Sequence, residues 1–166
     1  MLTLWIETLL NNFAATMLVV SIIFMLVHKA LVGGQLPEGE IVFRWTSLFA
    51  LGFTSIFAAF FHLFFSQYAS ANIGWPPSPF EYEVAFADLA LGVLGILAFK
   101  ASYGFRLATV IAAIIMFWGD ALVHTYQIFM YRNFAVGNAG TWFWMDIIIP
   151  VILLIALLKL KSGRWF

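Results

Sequence analysis

The chain has 166 residues, of which 64% are hydrophobic, 19% aromatic and only 10% charged. A soluble domain is about one-half apolar, so this composition excludes a soluble protein and indicates an integral membrane protein. Eight basic and eight acidic residues give a formal net charge of zero, which leaves no basic surface for nucleic acid, and the lack of cysteine excludes thiolate metal sites and iron–sulfur clusters.

Five apolar stretches each approach the roughly 20 residues that a helix needs to cross a bilayer. They predict an all-α fold, a polytopic bundle of five transmembrane helices that forms a single domain over residues 1–166. Residues 1–12 lack the basic segment and small-residue cleavage site of a removable signal peptide, so we expect the first helix to be retained. The predicted spans are residues 9–31, 41–65, 81–99, 105–130 and 142–160.

Glycine and proline mark the ends of these spans. The first is stopped by the run from Gly33 to Pro37, and the second and third are separated by a rigid link that holds Pro76, Pro77 and Pro79. Ser78, followed by Pro79 and by Glu81 three residues on, is typical of a capping box. We therefore assign Glu81 mainly to starting the third helix.

The orientation follows from the basic residues on the two sides that five alternating spans define. The side that holds most of them is cytoplasmic by the positive-inside rule, so we expect the N-terminus outside and the C-terminus in the cytoplasm, in the cytoplasmic membrane. Arg132 alone lies on the other side. The cytoplasmic side holds Lys29, Arg44, Lys100, Arg106, Lys159, Lys161 and Arg164.

The fourth span contains an acid and an imidazole, Asp120 and His124, four residues apart and hence on one helix face. An ionisable group in hydrocarbon costs roughly 2.5 kcal/mol or more, so it normally faces the protein interior and is associated with function. The alternative is an internal pair that only holds helices together. The polar residues of the other helices bear on this choice.

Ionisable residues of three further helices fall near the same predicted outer end. His62 ends the second span, Glu83 begins the third, and Asp146 lies about one turn into the fifth. The inner halves of spans three to five hold no such residue, so the pattern predicts a polar site that opens outward. Imidazole and carboxylate without sulfur are the donors that Zn²⁺, Mn²⁺ and non-haem iron prefer. The predicted divalent-metal ligands are His62, Glu83, Asp120, His124 and Asp146.

Several polar residues have structural interpretations as well. Asp88 lies about 140° around the helix from Glu83 and shares a stripe of small residues, so tight packing is its more natural role. Asp146 can partner His124 or bond backbone groups freed by Pro150. Asn133 and Asn138 are typical of a turn that covers the site.

The segment from Ile73 to Val84, the run from Gly119 to His124, and Gly137 to Gly140 with Asp146 and Pro150 together resemble a family of small prokaryotic multi-pass membrane proteins known only as a domain of unknown function. The similarity covers most of the chain from the second span onward. In that family position 81 is often an amide, which implies that Glu83 is the acid of interest. The resemblance implies a membrane protein but no activity.

The leading hypothesis is therefore an outward-facing metal site, catalytic on a lipid-like or periplasmic substrate if Glu83 or Asp120 serves as the base. Three alternatives stay open. They are transport of protons or a cation, haem bound between His62 and His124, and a non-catalytic subunit of a homo-oligomer or larger membrane complex. Besides the lipid bilayer, the sequence indicates no specific partner.

Overall fold

The computed structural model describes residues 2–160, and these residues form helices joined by short connections. Five helical stretches in this part of the chain are long and apolar enough to cross a membrane, as expected, which suggests a multi-pass membrane protein. Lys161, Arg164 and the rest of the basic C-terminus lie outside the described residues. The five stretches are Phe13–Leu31, Glu38–Phe64, Phe80–Lys100, Tyr103–Tyr131 and Val136–Lys159.

The helices follow the predicted order, with breaks that hydropathy did not predict. A short helix precedes the first span, and a second short helix lies between the second span and the proline-rich link. In chain order the helices are α1 Leu2–Asn11, α2 Phe13–Val32, α3 Glu38–Trp45, a π-helical segment Thr46–Phe53, α4 Thr54–Phe64, α5 Ser66–Ile73, α6 Phe80–Leu97, a 3₁₀ turn Ala98–Lys100, α7 Tyr103–Tyr131, α8 Val136–Ala139 and α9 Thr141–Lys159.

The core lies where the second, fourth and fifth spans meet. Phe43, Val110, Ile149 and Leu153 are fully buried there. α6 packs against the π-helical segment and α4 along its small residues. A Cβ atom added at Gly95 would lie 2.8 Å from the backbone nitrogen of Gly52, so the two backbones touch. The tight packing predicted for this stripe is confirmed.

A part-buried ion cluster closes one end of the bundle. The guanidinium of Arg106 bonds both carboxylate oxygens of Glu40, at 2.6 and 2.9 Å, and also donates to the carbonyl oxygens of Ala98 and Phe99 at 3.0 and 2.9 Å. Arg44 contacts the same carboxylate at 2.6 Å. Arg106 thus ties the start of the second span to the turn before the fourth, and Arg44 pairs with Glu40 within α3.

The opposite end is covered by α5, α8 and the proline-rich link. The side-chain amide of Asn133 donates to the carbonyl oxygen of Ile73 at 2.8 Å, and that of Asn138 donates to the carbonyl oxygen of Asn133 at 2.9 Å. Gly74 adopts φ +72°, and a Cβ atom there would lie 2.7 Å from Asn133 Oδ1. The expected turn of Asn133 and Asn138 over this end is confirmed.

Candidate functional site

A cavity of about 550 Å³ lies beneath this cover. Helices α4, α6, α7 and α9 form its walls, and Asn11 at the end of α1 reaches it. Among the described residues that line it there is neither a lysine nor an arginine. We call it the acidic cavity. Its histidine, aspartate and glutamate lining residues are His62, Glu81, Asp88, Asp120, His124 and Asp146.

The structure brings four of the five predicted site residues to the acidic cavity: His62, Asp120, His124 and Asp146. Glu83 is exposed and does not line the cavity. At 3.6 residues per turn, positions 81 and 83 lie on nearly opposite sides of a helix. Position 81 shares a helix face with the small residues Ala85, Gly92 and Gly95, and this face packs inward. Glu83 therefore points away from the cavity.

Glu81 and Asp88 line the cavity in place of Glu83. The predicted capping box is wrong, because Ser78 Oγ accepts from the backbone of Phe80 at 3.3 Å while the Glu81 carboxylate faces His62. His62 Nδ1 lies 3.2 Å from Glu81 Oε2, and the two side chains are 20% and 11% exposed. This pair joins α4 to α6 at the rim of the cavity.

The sequence suggested Asp120 or Asp146 as the partner of His124. In the structure His124 bonds Asn138 instead. Its Nδ1 lies 2.7 Å from Asn138 Oδ1. The amide nitrogen of Asn138 faces two backbone carbonyl oxygens, those of His124 at 3.4 Å and Asn133 at 2.9 Å, so its oxygen must face the ring. Nδ1 therefore carries a hydrogen, and in the neutral ring Nε2 is the acceptor.

Three aspartates, Asp88, Asp120 and Asp146, come to the cavity from three different helices. Within residues 2–160 no donor forms a hydrogen bond to any of these three carboxyl groups. Asp88 is only 6% exposed. A carboxylate held in an apolar interior without a partner is unfavourable, so these acids are either neutral or balanced by a cation from outside the chain.

Aromatic rings and further unpaired polar atoms complete the lining. Phe57, Phe61, Phe117 and Trp142 contribute to the walls. The ring of Trp75 lies 5.7 Å from that of His124, centroid to centroid. Trp75 Nε1, Asn11 Oδ1 and Ser55 Oγ are buried without a hydrogen-bond partner in the described part of the chain. These are polar groups that a bound molecule or ordered water would satisfy.

The predicted metal-ion site stays a prediction. In the part of the chain that the structure describes, no three of its histidine, aspartate and glutamate side chains come close enough together to hold one metal ion. One imidazole nitrogen of His62 and one of His124 are already engaged by Glu81 and Asn138. The haem alternative stays a prediction as well.

Sequence reasoning missed Glu81 and Asp88 as lining residues although a signal was present. They are seven residues apart on α6 and share a face with Ala85 and Gly92, and a small-residue face is the one that meets other helices. Carboxylates on that face are consequently enclosed by protein. Asn138 carried no comparable signal, because its contact with His124 joins separate helices.

None of the curated proteins and none of the solved structures in our comparison matches the chain. The sequence model of one family does match, over residues 11–164, which is nearly the whole chain. The resemblance seen in the sequence is thereby confirmed. The chain belongs to this family of unknown function, DUF6790.

Proposed function

We propose that the protein is a multi-pass protein of the cytoplasmic membrane whose acidic cavity opens on the outer side and binds a small organic cation, such as a protonated amine. The observation that carries this proposal is the convergence of Asp88, Asp120 and Asp146 on one cavity with neither a lysine nor an arginine among its described lining residues. A cationic ligand supplies the missing positive charge.

An organic cation suits the cavity better than a bare metal ion. A metal ion needs several donors at about 2 Å from a single point, whereas the charge of an alkylammonium group is balanced by carboxylates placed around it. The apolar part of such a ligand would contact the aromatic walls, and an ammonium group is attracted to ring faces such as those of Phe117 and Trp142. A volume of about 550 Å³ is in the range of small-molecule sites.

The orientation rests on the distribution of basic residues. Lys29, Lys100 and Lys159 lie at the end of the bundle opposite the acidic cavity, so the positive-inside rule turns the cavity outward. The cysteine-free chain makes this testable without background. In intact cells, Gln67→Cys should react with a membrane-impermeant maleimide and Gln35→Cys should not. The reverse labelling would overturn the orientation.

The binding proposal is tested by titrating detergent-purified protein with benzylamine and with benzyl alcohol, which differ mainly in charge. Calorimetry should detect benzylammonium and not the alcohol. Asp120→Asn should weaken benzylammonium binding roughly tenfold or more, the effect of losing one charged partner. Glu83→Gln is the matched control, because this acid lies outside the cavity.

Two results would contradict the proposal. One is equal binding of the amine and the alcohol, which would mean that the cavity selects shape and apolarity only. The other is an equal effect of Glu83→Gln and Asp120→Asn. This would mean that the cation is attracted by the general negative charge at this end of the protein and not bound in the cavity.

A further inference from the structure

A second cavity, of about 330 Å³, lies at the opposite end of the bundle from the acidic cavity. It is a groove between α2, the start of α3 and the last turns of α9. Its walls are aliphatic, with Met25, Ile41, Val42 and Ile152 among them. Of its described lining residues only Lys29, Glu38 and Lys159 are charged, and we call it the lysine groove.

The three charged residues share one end of the groove, because Lys29 ends the first span, Glu38 begins the second and Lys159 ends the fifth. Lys29 forms an ion pair with Glu38 in which both side chains are mostly exposed, at 60% and 67%. Two ammonium groups and one carboxylate give this end of the groove, its mouth, an excess of one positive charge.

Close contact between α3 and α9 brings these charges together. A Cβ atom added at Gly39 would lie 2.9 Å from the carbonyl oxygen of Ala156 and 2.9 Å from Lys159 Cβ. Only a glycine permits this approach, which sets Glu38 beside the end of α9. α2 is not held as closely to α9, and the groove lies between them.

We propose that the lysine groove binds an anionic phospholipid, with its phosphate at Lys29 and Lys159 and an acyl chain along the aliphatic wall. The wall faces the surroundings of the spanning helices, where Leu26 and Ile155 are 63% and 49% exposed, so the molecules that meet it in a bilayer are lipids. Basic pockets between spanning helices on the cytoplasmic side are suited to anionic headgroups.

The charge of the mouth distinguishes between lipid classes. A zwitterionic headgroup brings its own cation next to Lys29 and Lys159 and gains no net attraction. An anionic headgroup such as phosphatidylglycerol carries a net negative charge and complements the excess positive charge. Its phosphate would compete with Glu38 for Lys29, so Glu38 acts as a substitute anion when no lipid is bound.

The test is native mass spectrometry of the full chain in detergent, with phosphatidylglycerol and phosphatidylcholine of identical acyl chains as probes. We expect the wild type to retain phosphatidylglycerol in preference. Lys29→Gln combined with Lys159→Gln should remove the preference, with a loss of about fivefold for each lysine. Lys100→Gln is the matched control, since Lys100 is an exposed lysine at the same end and outside the groove.

Two further variants separate a lipid site from a surface charge. Glu38→Gln leaves both lysines and raises the excess charge, so phosphatidylglycerol binding should strengthen. Ile155→Trp fills the groove without altering charge and should weaken binding of the lipid. Thermal unfolding of each variant verifies that it is folded.

The proposal would be overturned by equal retention of the two lipids, by a Lys100→Gln effect as large as that of the double variant, or by weaker binding in Glu38→Gln. It would also be overturned if glycerol phosphate displaced the lipid at equal concentration, because the acyl chain would then contribute nothing. None of these readouts depends on the acidic cavity.

Discussion

His124 Nδ1 lies 2.7 Å from Oδ1 of Asn138, a fully buried residue that follows fourteen positions later on a different helix. The same asparagine donates to the backbone of α7 and to the turn that covers the cavity. One side chain thus sets the tautomer of the histidine and holds the cover in place.

Replacing Asn138 should therefore loosen this end of the protein. Asn138→Ala removes the partner of a part-buried ring nitrogen and of two carbonyl groups, so we expect a loss of about 1–3 kcal/mol in the free energy of unfolding. Denaturant titration in detergent, followed by tryptophan fluorescence, measures it. Gln67→Ala, at an exposed position of α5, should change little. An equal loss in both variants would argue against the contact.

The ion cluster at the other end should be more costly to break. Glu40→Gln leaves the guanidinium of Arg106, which is 4% exposed, without its carboxylate. Removing one partner of a buried pair costs about 3–5 kcal/mol. Glu38→Gln breaks a pair at an exposed site, and we expect almost no effect on unfolding. Similar unfolding curves for the two variants would show that Glu40 does not hold the bundle together.

The contact between α6 and the π-helical segment should not tolerate a methyl group. Gly95→Ala places a carbon 2.8 Å from both Gly52 N and Ser47 O, which are backbone atoms that cannot turn aside. We expect a loss of about 1–3 kcal/mol from overpacking. Gly119→Ala is the control, because a Cβ atom there meets nothing within 4 Å. Unchanged stability in Gly95→Ala would mean that these backbones are farther apart.

The unpaired aspartates should contribute little to stability even though they line an enclosed cavity. Asp88→Asn keeps the shape of the side chain and cannot carry a negative charge, so unfolding should be unchanged or more difficult. Glu81→Ala removes the partner of His62 and should cost about 1–2 kcal/mol. Thermal unfolding in detergent compares the two. A larger loss for Asp88→Asn would reveal a partner of Asp88 within the protein.

The metal hypothesis has its own measurement. Because no three of its donors converge in the described residues, we expect elemental analysis of gently purified protein to find only substoichiometric zinc, manganese and iron. Stoichiometric metal that disappears in Asp120→Asn would contradict this expectation. It would also require the side chains of the acidic cavity to gather around an ion.

Much of the site could be found before folding was considered. An acid such as Asp120 inside an apolar span predicts an internal polar cavity, because a charge exposed to hydrocarbon is costly. This prediction needs no knowledge of the neighbouring residues. Glu83 shows where that reasoning ends. Carboxylates occur on both sides of the first turns of α6, and Glu81 faces inward because it lies on the face that packs through Gly92 and Gly95.

The sequence by itself determined the number of spans, their breaks at Gly33 and in the proline-rich link, and the chemical types available at each end. These are local properties, because each apolar stretch partitions into hydrocarbon independently of the others. Tertiary structure alone decided the pairs His62–Glu81, His124–Asn138 and Arg106–Glu40. Such pairs depend on how each helix is rotated about its axis, and that rotation is set by contacts between distant segments.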